Sequence, residues 1–222
     1  SRVIADDQTL INFCSNDYLG LAGSEELASA MAQATQKWGV GSGASHLICG
    51  HMTPHQELEK ELASFVGAER ALLFSTGYMA NLAIPATFLG RDDLLLQDRL
   101  NHASLIDGGR LSRATIKRYR HSDLVQLQDL MKENSRHRIM IVSDAVFSMD
   151  GDIAPLTEIT ELAEEYGAMT YVDDCHGEGV LGDGGRGIVD HFGLQGRVDF
   201  EIGSFSKALG VQGGILAGSQ QT

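Results

Sequence analysis

One lysine stands directly after a strand-like run and before a cluster of glycines. It is Lys207, in the segment EIGSFSKALGVQGG at 201–214, and the run before it covers 198–203. A lysine just past the carboxyl end of a strand lies where open α/β sheets bind ligands. An isolated loop lysine is more often an ordinary exposed side chain. We predict that Lys207 does covalent chemistry, provided that complementary groups meet it at the same edge of the sheet.

Two further polar clusters follow apolar runs. In VDDCHG, at 172–177, Asp173 and His176 come directly after a buried-strand pattern, and a carboxylate there is costly unless it has a positive partner. An N-cap Asp and a metal site of Asp, Cys and His are the alternatives, although no second ligand cluster is evident. In STGY, at 75–78, Gly77 lets the backbone approach a ligand, and the first amides of the following helix could bind phosphate. An ordinary N-cap is the alternative for this second segment.

An acid, a phosphate cup and a lysine at one sheet edge suit pyridoxal phosphate. A lysine can form the Schiff base, an acid can keep the pyridine nitrogen protonated, and a helix terminus can hold the phosphate. The three clusters together therefore predict this cofactor.

The composition narrows the function classes. The chain has 222 residues, with 43% hydrophobic and 21% charged residues, as in ordinary globular domains. Its net charge of −13 argues against nucleic acid or an anionic membrane as a partner, because both need clustered Lys and Arg. No apolar run approaches a membrane span and no signal layout opens the chain, so we expect a cytoplasmic protein. Three cysteines without paired spacing are expected to be reduced and buried.

From residue 71 onward, strand-like and helix-like segments alternate. This pattern predicts βαβ units and a mostly parallel sheet that is covered on both faces. The expected strands are 71–75, 93–97, 114–119, 138–143, 168–173 and 198–203, and the expected helices are 77–88, 102–111, 123–132 and 156–167.

The first part of the chain is less regular. Residues 25–38 predict an amphipathic helix with an apolar stripe at Leu27, Ala30, Met31 and Ala34. The glycine-rich loop GVGSGAS follows a helix rather than a strand, which disfavours a dinucleotide site. Thr53 is expected to cap the next helix, and its neighbours His51 and His55 have no third metal ligand nearby. We expect residues 1–40 to lead into a large domain at 41–222 that is incomplete at its C-terminal end.

Seven segments carry a resemblance to a known family. They are NFCSNDYLGL, GSGASHLICGH, LLFSTGYMANLA, DRLNHASLIDGGRLS, VFSMDGDIAPL, VDDCHGEGVLG and GSFSKALG. Together they resemble the α-oxoamine synthases, a family of pyridoxal-phosphate enzymes. The resemblance implies the large domain of a fold-type I, aspartate aminotransferase-like transferase. It also implies a homodimer with a shared active site, and a small C-terminal domain that is absent from this chain.

The resemblance assigns catalytic roles to three residues. Lys207 would be the Schiff-base lysine and the base at Cα of the amino acid. Asp173, the first acid of VDDCH, would hold the pyridine nitrogen. His102, in NHAS, would stack on the cofactor ring and contact the substrate.

Five further residues are implied as cofactor ligands. His176 would bond the phenolic oxygen of the cofactor, and Ser148 would lie near the same oxygen. The amides of Gly77 and Tyr78, with Ser204, would hold the phosphate. The family more often has Thr at the Ser204 position.

The implied reaction is the decarboxylative condensation of an amino acid with an acyl thioester. Three segments, GSGASHL, FSTGYMANL and LNHASLIDGG, are most similar to the branch that joins L-alanine to a pimeloyl thioester in biotin biosynthesis. SFSKALG and ICG are closer to the branches that use glycine or serine, so the acyl chain and its carrier stay open.

Two rival functions belong to other classes. Ser204 to Lys207 satisfies S-x-x-K, the motif of penicillin-binding serine hydrolases, but the companion motifs are missing and that serine should open a long helix. A cofactor-free scaffold of the same fold is the non-enzymatic rival, because fold alone does not establish function.

Overall fold

The computed structural model describes residues 2–134 and 138–221. Nine strands are found in this part of the chain: β1 (Arg2–Ala5), β2 (Gln8–Ile11), β3 (Arg70–Phe74), β4 (Leu94–Asp98), β5 (Thr115–Tyr119), β6 (Ile139–Asp144), β7 (Met169–Asp173), β8 (Phe200–Ser204) and β9 (Gly214–Gly218). The α-helices are α1 (Glu25–Trp38), α2 (Thr53–Val66), α3 (Gly77–Phe88), α4 (Ala103–Ser112), α5 (Leu124–Glu133), α6 (Leu156–Tyr166) and α7 (Ile188–His191).

Seven strands form one sheet in the order β3-β9-β8-β7-β6-β4-β5. The pairs from β8 to β5 are parallel, whereas β9 runs antiparallel to both β3 and β8. The predicted mostly parallel α/β sheet is therefore confirmed. Strands β1 and β2 form a separate two-stranded hairpin.

Successive side chains of a central strand point to opposite faces of the sheet, so one strand contributes to two hydrophobic cores. In β4, Leu94 and Leu96 pack into a cluster with α5 and α6, while Leu95 packs on the opposite face with residues of α3 and α4. A third cluster joins α2 to the edge strands β3 and β9. The six residues of β6 are all buried, as expected of a central parallel strand covered on both faces.

Helices α3 and α4 approach each other closely at a glycine. A Cβ at Gly108 would lie 2.2 Å from the carbonyl oxygen of Asn81 and 3.3 Å from the Cα of Leu82. Only a residue without a side chain allows this backbone-to-backbone approach. The position of α3 relative to α4 therefore depends on Gly108.

Several local predictions need correction. Helix α1 covers the predicted residues 25–38, but its apolar stripe is not buried, and Met31 is 63% exposed. Helix α2 begins at Thr53 itself with Met52 as the N-cap, because the Met52 amide donates to Nδ1 of His55. Cys175 is buried as predicted, whereas Cys14 and Cys49 are exposed free thiols. These two lie in the first fifty residues, where the chain supplies little packing.

Three carboxyl groups are buried beside β8 and the loop that follows β7. Asp174, Glu178 and Glu201 are each at most 6% exposed. Burial is the main cause that raises the pKa of Asp174 to about 8, and it raises the pKa of Glu178 and Glu201 well above their usual range. The backbone N–H of Ile188 donates to Oδ2 of Asp174 at 2.5 Å, which anchors the start of α7.

We expect Gly108→Ala to destabilise the protein by about 2 kcal/mol. The added methyl group would overlap the Asn81 carbonyl, and overpacking of this kind exceeds the gain of about 1 kcal/mol from replacing a helical glycine. Urea unfolding gives the measurement. Gly23→Ala is the matched control, because a Cβ at Gly23 meets nothing within 4 Å. Equal unfolding free energies for the two variants would contradict the close packing of α3 and α4.

The buried Asp174 makes stability depend on pH in a defined direction. Its ordinary pKa is 3.8 and its folded pKa is about 8, so between these values the folded protein binds more protons than the unfolded chain. The free energy of unfolding therefore falls as pH rises through this window, by up to about 1.4 kcal/mol per pH unit for one proton.

Asp174→Asn should make that decline shallower between pH 5 and pH 8, as measured by urea unfolding at several pH values. The exposed Asp183 offers a control, since Asp183→Asn should leave the slope unchanged. A slope in the Asp174 variant that parallels the unmodified protein would show that Asp174 is ionised in the folded state.

Candidate active site

A cavity of about 260 Å³ lies where β7 and β8 end and where α3 and α4 begin. All eight predicted site residues line it: Gly77, Tyr78, His102, Ser148, Asp173, His176, Ser204 and Lys207. Parallel strands collect ligands at their carboxyl ends, and this topology brings together residues as distant in the sequence as Gly77 and Lys207.

Asp173 is the last residue of β7 and is held from two sides. Its Oδ2 accepts a hydrogen bond from Nδ2 of Asn81 at 2.6 Å, and its Oδ1 accepts one from the backbone N–H of Cys175 at 3.1 Å. The side chain is only 6% exposed. Two donors on one buried carboxyl group fix its direction toward the cavity.

Asp144 is a second acid in the cavity that sequence reasoning missed. It ends β6 and is the register partner of Asp173 on β7. Burial, followed by the charge of Asp173, raises the pKa of Asp144 to about 8, so it carries a proton at neutral pH. Its Oδ2 accepts the backbone N–H of His102 at 2.9 Å. The available signal was an acid that ends an apolar strand, in the run IMIVSD.

The two predicted histidines sit in different surroundings. His102 is the N-cap of α4, and its Nδ1 lies 2.7 Å from Oγ of Ser104. Burial is the main cause that lowers the pKa of His176 to about 4, and the positive charge of Lys207 adds to it. His176 is therefore neutral at pH 7. Its Nδ1 lies 2.6 Å from the hydroxyl of Tyr18, another residue that sequence reasoning missed.

The start of α3 provides free amides beside a hydroxyl pair. The helix begins at Gly77 because the Thr76 hydroxyl accepts the amide of Met79, which makes Thr76 an N-cap. A Cβ at Gly77 would lie 3.2 Å from Cβ of Ser204, so glycine keeps the helix terminus close to β8. The hydroxyls of Ser204 and Ser206 are 2.8 Å apart. Ser206 was not predicted as a site residue, although it stands in the same motif.

Tyr78 lines this end of the cavity, where its backbone amide is the predicted contact. Its hydroxyl donates to Oδ2 of Asp107 at 2.9 Å, on an exposed part of α4. The sequence interpretation assigned the Tyr78 amide rather than its side chain, and the side chain is engaged elsewhere.

Lys207 lies in a tight loop between β8 and β9. Phe205 closes the loop, because its amide donates to the Gly213 carbonyl at 3.1 Å and its carbonyl accepts the amide of Val211 at 2.9 Å. The Phe205 ring is buried and leaves no room for a side chain at Gly213, where a Cβ would lie 2.4 Å away. Lys207 itself is partly buried, and its positive charge offsets part of the rise in the pKa of Asp144.

The alternative sites find less support. Ser204 ends a strand instead of opening a long helix, which argues against a penicillin-binding S-x-x-K site. Within residues 2–134 and 138–221, no group of three His, Cys, Asp or Glu side chains could hold a metal ion. The rings of His46, His51 and His55 do pack together, with centroids 4.6–5.9 Å apart. In the described part of the chain, no helix is both long and apolar enough to cross a membrane.

A larger cavity, of about 610 Å³, lies against α2 and the edge strands β3 and β9. None of the eight predicted site residues lines it. Size alone does not identify an active site, and the smaller cavity is the one that lies at the carboxyl ends of parallel strands beside the start of α3.

Curated proteins match this chain over nearly its whole length. The chain is 53% identical to 8-amino-7-oxononanoate synthase of Fervidobacterium nodosum and 54% identical to that of an Azoarcus species. Each comparison covers 98% of the chain but only 56% of the relative, so the chain spans little more than half the length of these curated relatives.

Solved structures share the fold. A serine palmitoyltransferase from Sphingomonas wittichii superposes with a TM-score of 0.94 at 34% identity, covering 99% of this chain and 55% of that one. The 8-amino-7-oxononanoate synthase of Francisella tularensis gives a TM-score of 0.80 at 32% identity, covering 96% and 59%. A further serine palmitoyltransferase structure, with a TM-score of 0.93 at 34% identity, contains a PLP internal aldimine. The fold-type I prediction is confirmed by these structures.

The family assignment follows from a match over nearly the whole chain. The sequence profile described as "Aminotransferase class I and II" matches residues 8–222. With the lysine, the acid and the helix terminus gathered in one cavity of the expected fold, the chain belongs to the aminotransferase class I and II family.

Proposed function

We propose that this chain carries the cofactor site of an 8-amino-7-oxononanoate synthase. The reaction would join L-alanine to a pimeloyl thioester, on coenzyme A or a carrier protein, with loss of carbon dioxide, in biotin biosynthesis. The observation that carries the proposal is the single cavity lined by Lys207, Asp173 and the start of α3. Relatives at 50–54% identity that bear this enzyme's name support the choice of reaction.

The residues of the cavity fit pyridoxal phosphate. The amides of Gly77 and Tyr78 and the hydroxyl of Ser204 form a cradle that a side chain at Gly77 would narrow, and they would hold the phosphate. Asp173 would face the ring nitrogen, and Lys207 would bind the aldehyde carbon. The described cavity thus contains a donor or acceptor for each polar part of the cofactor.

When bound, pyridoxal phosphate draws electrons from the amino acid's Cα. Lys207 would take the proton from that carbon, as a positioned amine can do. Asp173, held by Asn81 and the Cys175 amide, would keep a proton on the ring nitrogen. The imidazole of His102 would cover one face of the ring and orient the substrate.

The phenolic oxygen of the cofactor would meet two donors, His176 and Ser148. His176 is neutral at pH 7 because its pKa is about 4. The contact between its Nδ1 and the Tyr18 hydroxyl, at 2.6 Å, would hold the ring in place. Asp144 would remain protonated, which avoids two adjacent negative charges in the cavity.

The assembly and the domain division remain parts of the proposal. We propose a cytoplasmic homodimer with a shared active site. The homodimer is supported by the exposure of the first fifty residues, where α1 has no buried residue. The buried members of the three core clusters all lie between residues 62 and 217. This supports a leading segment at 1–40 and a large domain at 41–222.

A second candidate is a condensing enzyme of the same family with another substrate pair. The TM-score of 0.94 to a serine palmitoyltransferase favours this second candidate, as does the sequence segment SFSKALG. Glycine with an acetyl thioester, as in 2-amino-3-ketobutyrate coenzyme A ligase, is the other pair considered.

A substrate panel separates these candidates. We expect carbon dioxide release from L-alanine with pimeloyl thioester to be at least tenfold faster than from serine with palmitoyl thioester or glycine with acetyl thioester. Tenfold corresponds to about 1.4 kcal/mol of transition-state binding, within reach of a pocket that differs by several methylene groups. Faster release with serine or glycine would transfer the assignment to the second candidate.

Lys207→Ala should abolish covalent capture of the cofactor. Borohydride reduction of protein loaded with pyridoxal phosphate, followed by peptide mass mapping, should give a pyridoxyl adduct on Lys207 and none in the variant. Lys117→Ala is the matched control, because Lys117 is also partly buried but lies on β5 outside the cavity. An adduct on another lysine of the unmodified protein, with Lys207 free, would refute its role.

A further inference from the structure

Behind the cavity, a continuous chain of buried hydrogen bonds joins β7, α3 and α4. The Tyr171 hydroxyl donates to Oδ1 of Asn81. The Nδ2 of Asn81 donates to Oδ2 of Asp173 at 2.6 Å and to Oγ of Ser104 at 2.8 Å. Oγ of Ser104 lies 2.7 Å from Nδ1 of His102. Asn81 is therefore the junction between the acid and the histidine that the proposed function assigns to the cofactor ring.

The donors and acceptors that each group offers give this series of hydrogen bonds one direction. The carboxylate of Asp173 only accepts, so the NH₂ group of Asn81 must face Asp173. The amide oxygen of Asn81 also only accepts, so the Tyr171 hydroxyl on its other side must be the donor. Both amide hydrogens are then used on Asp173 and Ser104. Because Ser104 accepts from Asn81, its own hydroxyl hydrogen is free for His102.

The imidazole of His102 is thereby left with one tautomer. Its Nδ1 receives the Ser104 hydroxyl hydrogen, and the backbone amide of Ser104 also donates to Nδ1 at 3.3 Å. A nitrogen that accepts two hydrogen bonds carries no hydrogen, so the ring hydrogen lies on Nε2.

We propose that Asn81 is a positioning residue that holds Asp173 in place and, through Ser104, fixes the Nε2–H tautomer of His102. The proposal rests on the proposed function for the roles of Asp173 and His102. Asn81 itself does not need to react with the substrate, since both of its amide hydrogens are used within the protein.

Burial and packing make this junction rigid. Asn81, Ser104 and Tyr171 are each at most 2% exposed, so water does not compete for their hydrogen bonds. Burial raises the pKa of Tyr171 well above its usual range, which keeps its hydroxyl hydrogen available as a donor. Gly108 presses against the backbone of Asn81, so α3 has little freedom to rotate and break the chain.

Nitrogen NMR of the histidine side chains tests the tautomer without relying on activity. In protein labelled with ¹⁵N-histidine and free of cofactor, we expect His102 to show a protonated Nε2 and an unprotonated Nδ1. Its signals are assigned by their loss in His102→Gln. Ser104→Ala and Asn81→Ala should both give a mixture of tautomers at His102.

Ser112→Ala is the matched control, because Ser112 is a second buried serine of α4 whose hydroxyl bonds the Gly109 carbonyl. It should leave the His102 signals unchanged. If Asn81→Ala does not fold, Tyr171→Phe and Ser104→Ala still interrupt the chain on either side of Asn81. A hydrogen on Nδ1 in the unmodified protein, or unchanged tautomers in the folded variants, would overturn the proposal.

Cofactor binding separates this inference from the proposed function. Asn81→Ala should raise the dissociation constant for pyridoxal phosphate by about tenfold to a hundredfold, because it removes a hydrogen bond to the buried acid. Ser112→Ala should bind as the unmodified protein does. Failure of the unmodified protein to bind pyridoxal phosphate would refute the proposed function, whereas equal binding by Asn81→Ala would refute the positioning role alone.

Discussion

Two carboxyl groups at neighbouring strand ends set the electrostatics of the cavity. Asp144 and Asp173 are register partners on β6 and β7, and both are almost completely buried. Two adjacent negative charges in such a site repel each other strongly, so one of them retains its proton. Burial and the charge of Asp173 raise the pKa of Asp144, which favours Asp144 as the protonated member. Asp173 can then act as the acceptor for Asn81 and for a cationic ring nitrogen.

The packing of the helices supports this arrangement. Gly108 lets α4 approach α3, and the contact holds Asn81 at the distance where it meets Asp173. Gly77 likewise lets the start of α3 approach β8, beside Ser204. A side chain at Gly77 or Gly108 would push apart elements that the proposed chemistry requires to be close. The site therefore depends on glycine at both positions.

The antiparallel strand β9 helps to position Lys207 at the other end of the cavity. Because β9 returns beside β8, the loop between them is short and closed by the backbone bonds of Phe205. The loop directs Lys207 into the cavity and leaves the buried Phe205 ring as its anchor. The position of the proposed covalent residue thus depends on strand pairing as well as on its local sequence.

The sequence by itself determined the alternating elements and the mostly parallel sheet, because periodicity is a local signal. Strand-end residues pointed to Lys207, to Asp173 and to the start of α3 at Gly77, whereas His102 and Ser148 came only from the resemblance to a known family. It did not reveal Asn81, Ser104 or Tyr18, which stand within helical or turn segments and acquire partners only when distant segments meet. Strand β9 escaped prediction because pairing with β3 and β8, rather than its own pattern, defines it. The protonation of Asp144 was also decided by tertiary structure, since burial and the charge of a neighbour cannot be read from one strand alone.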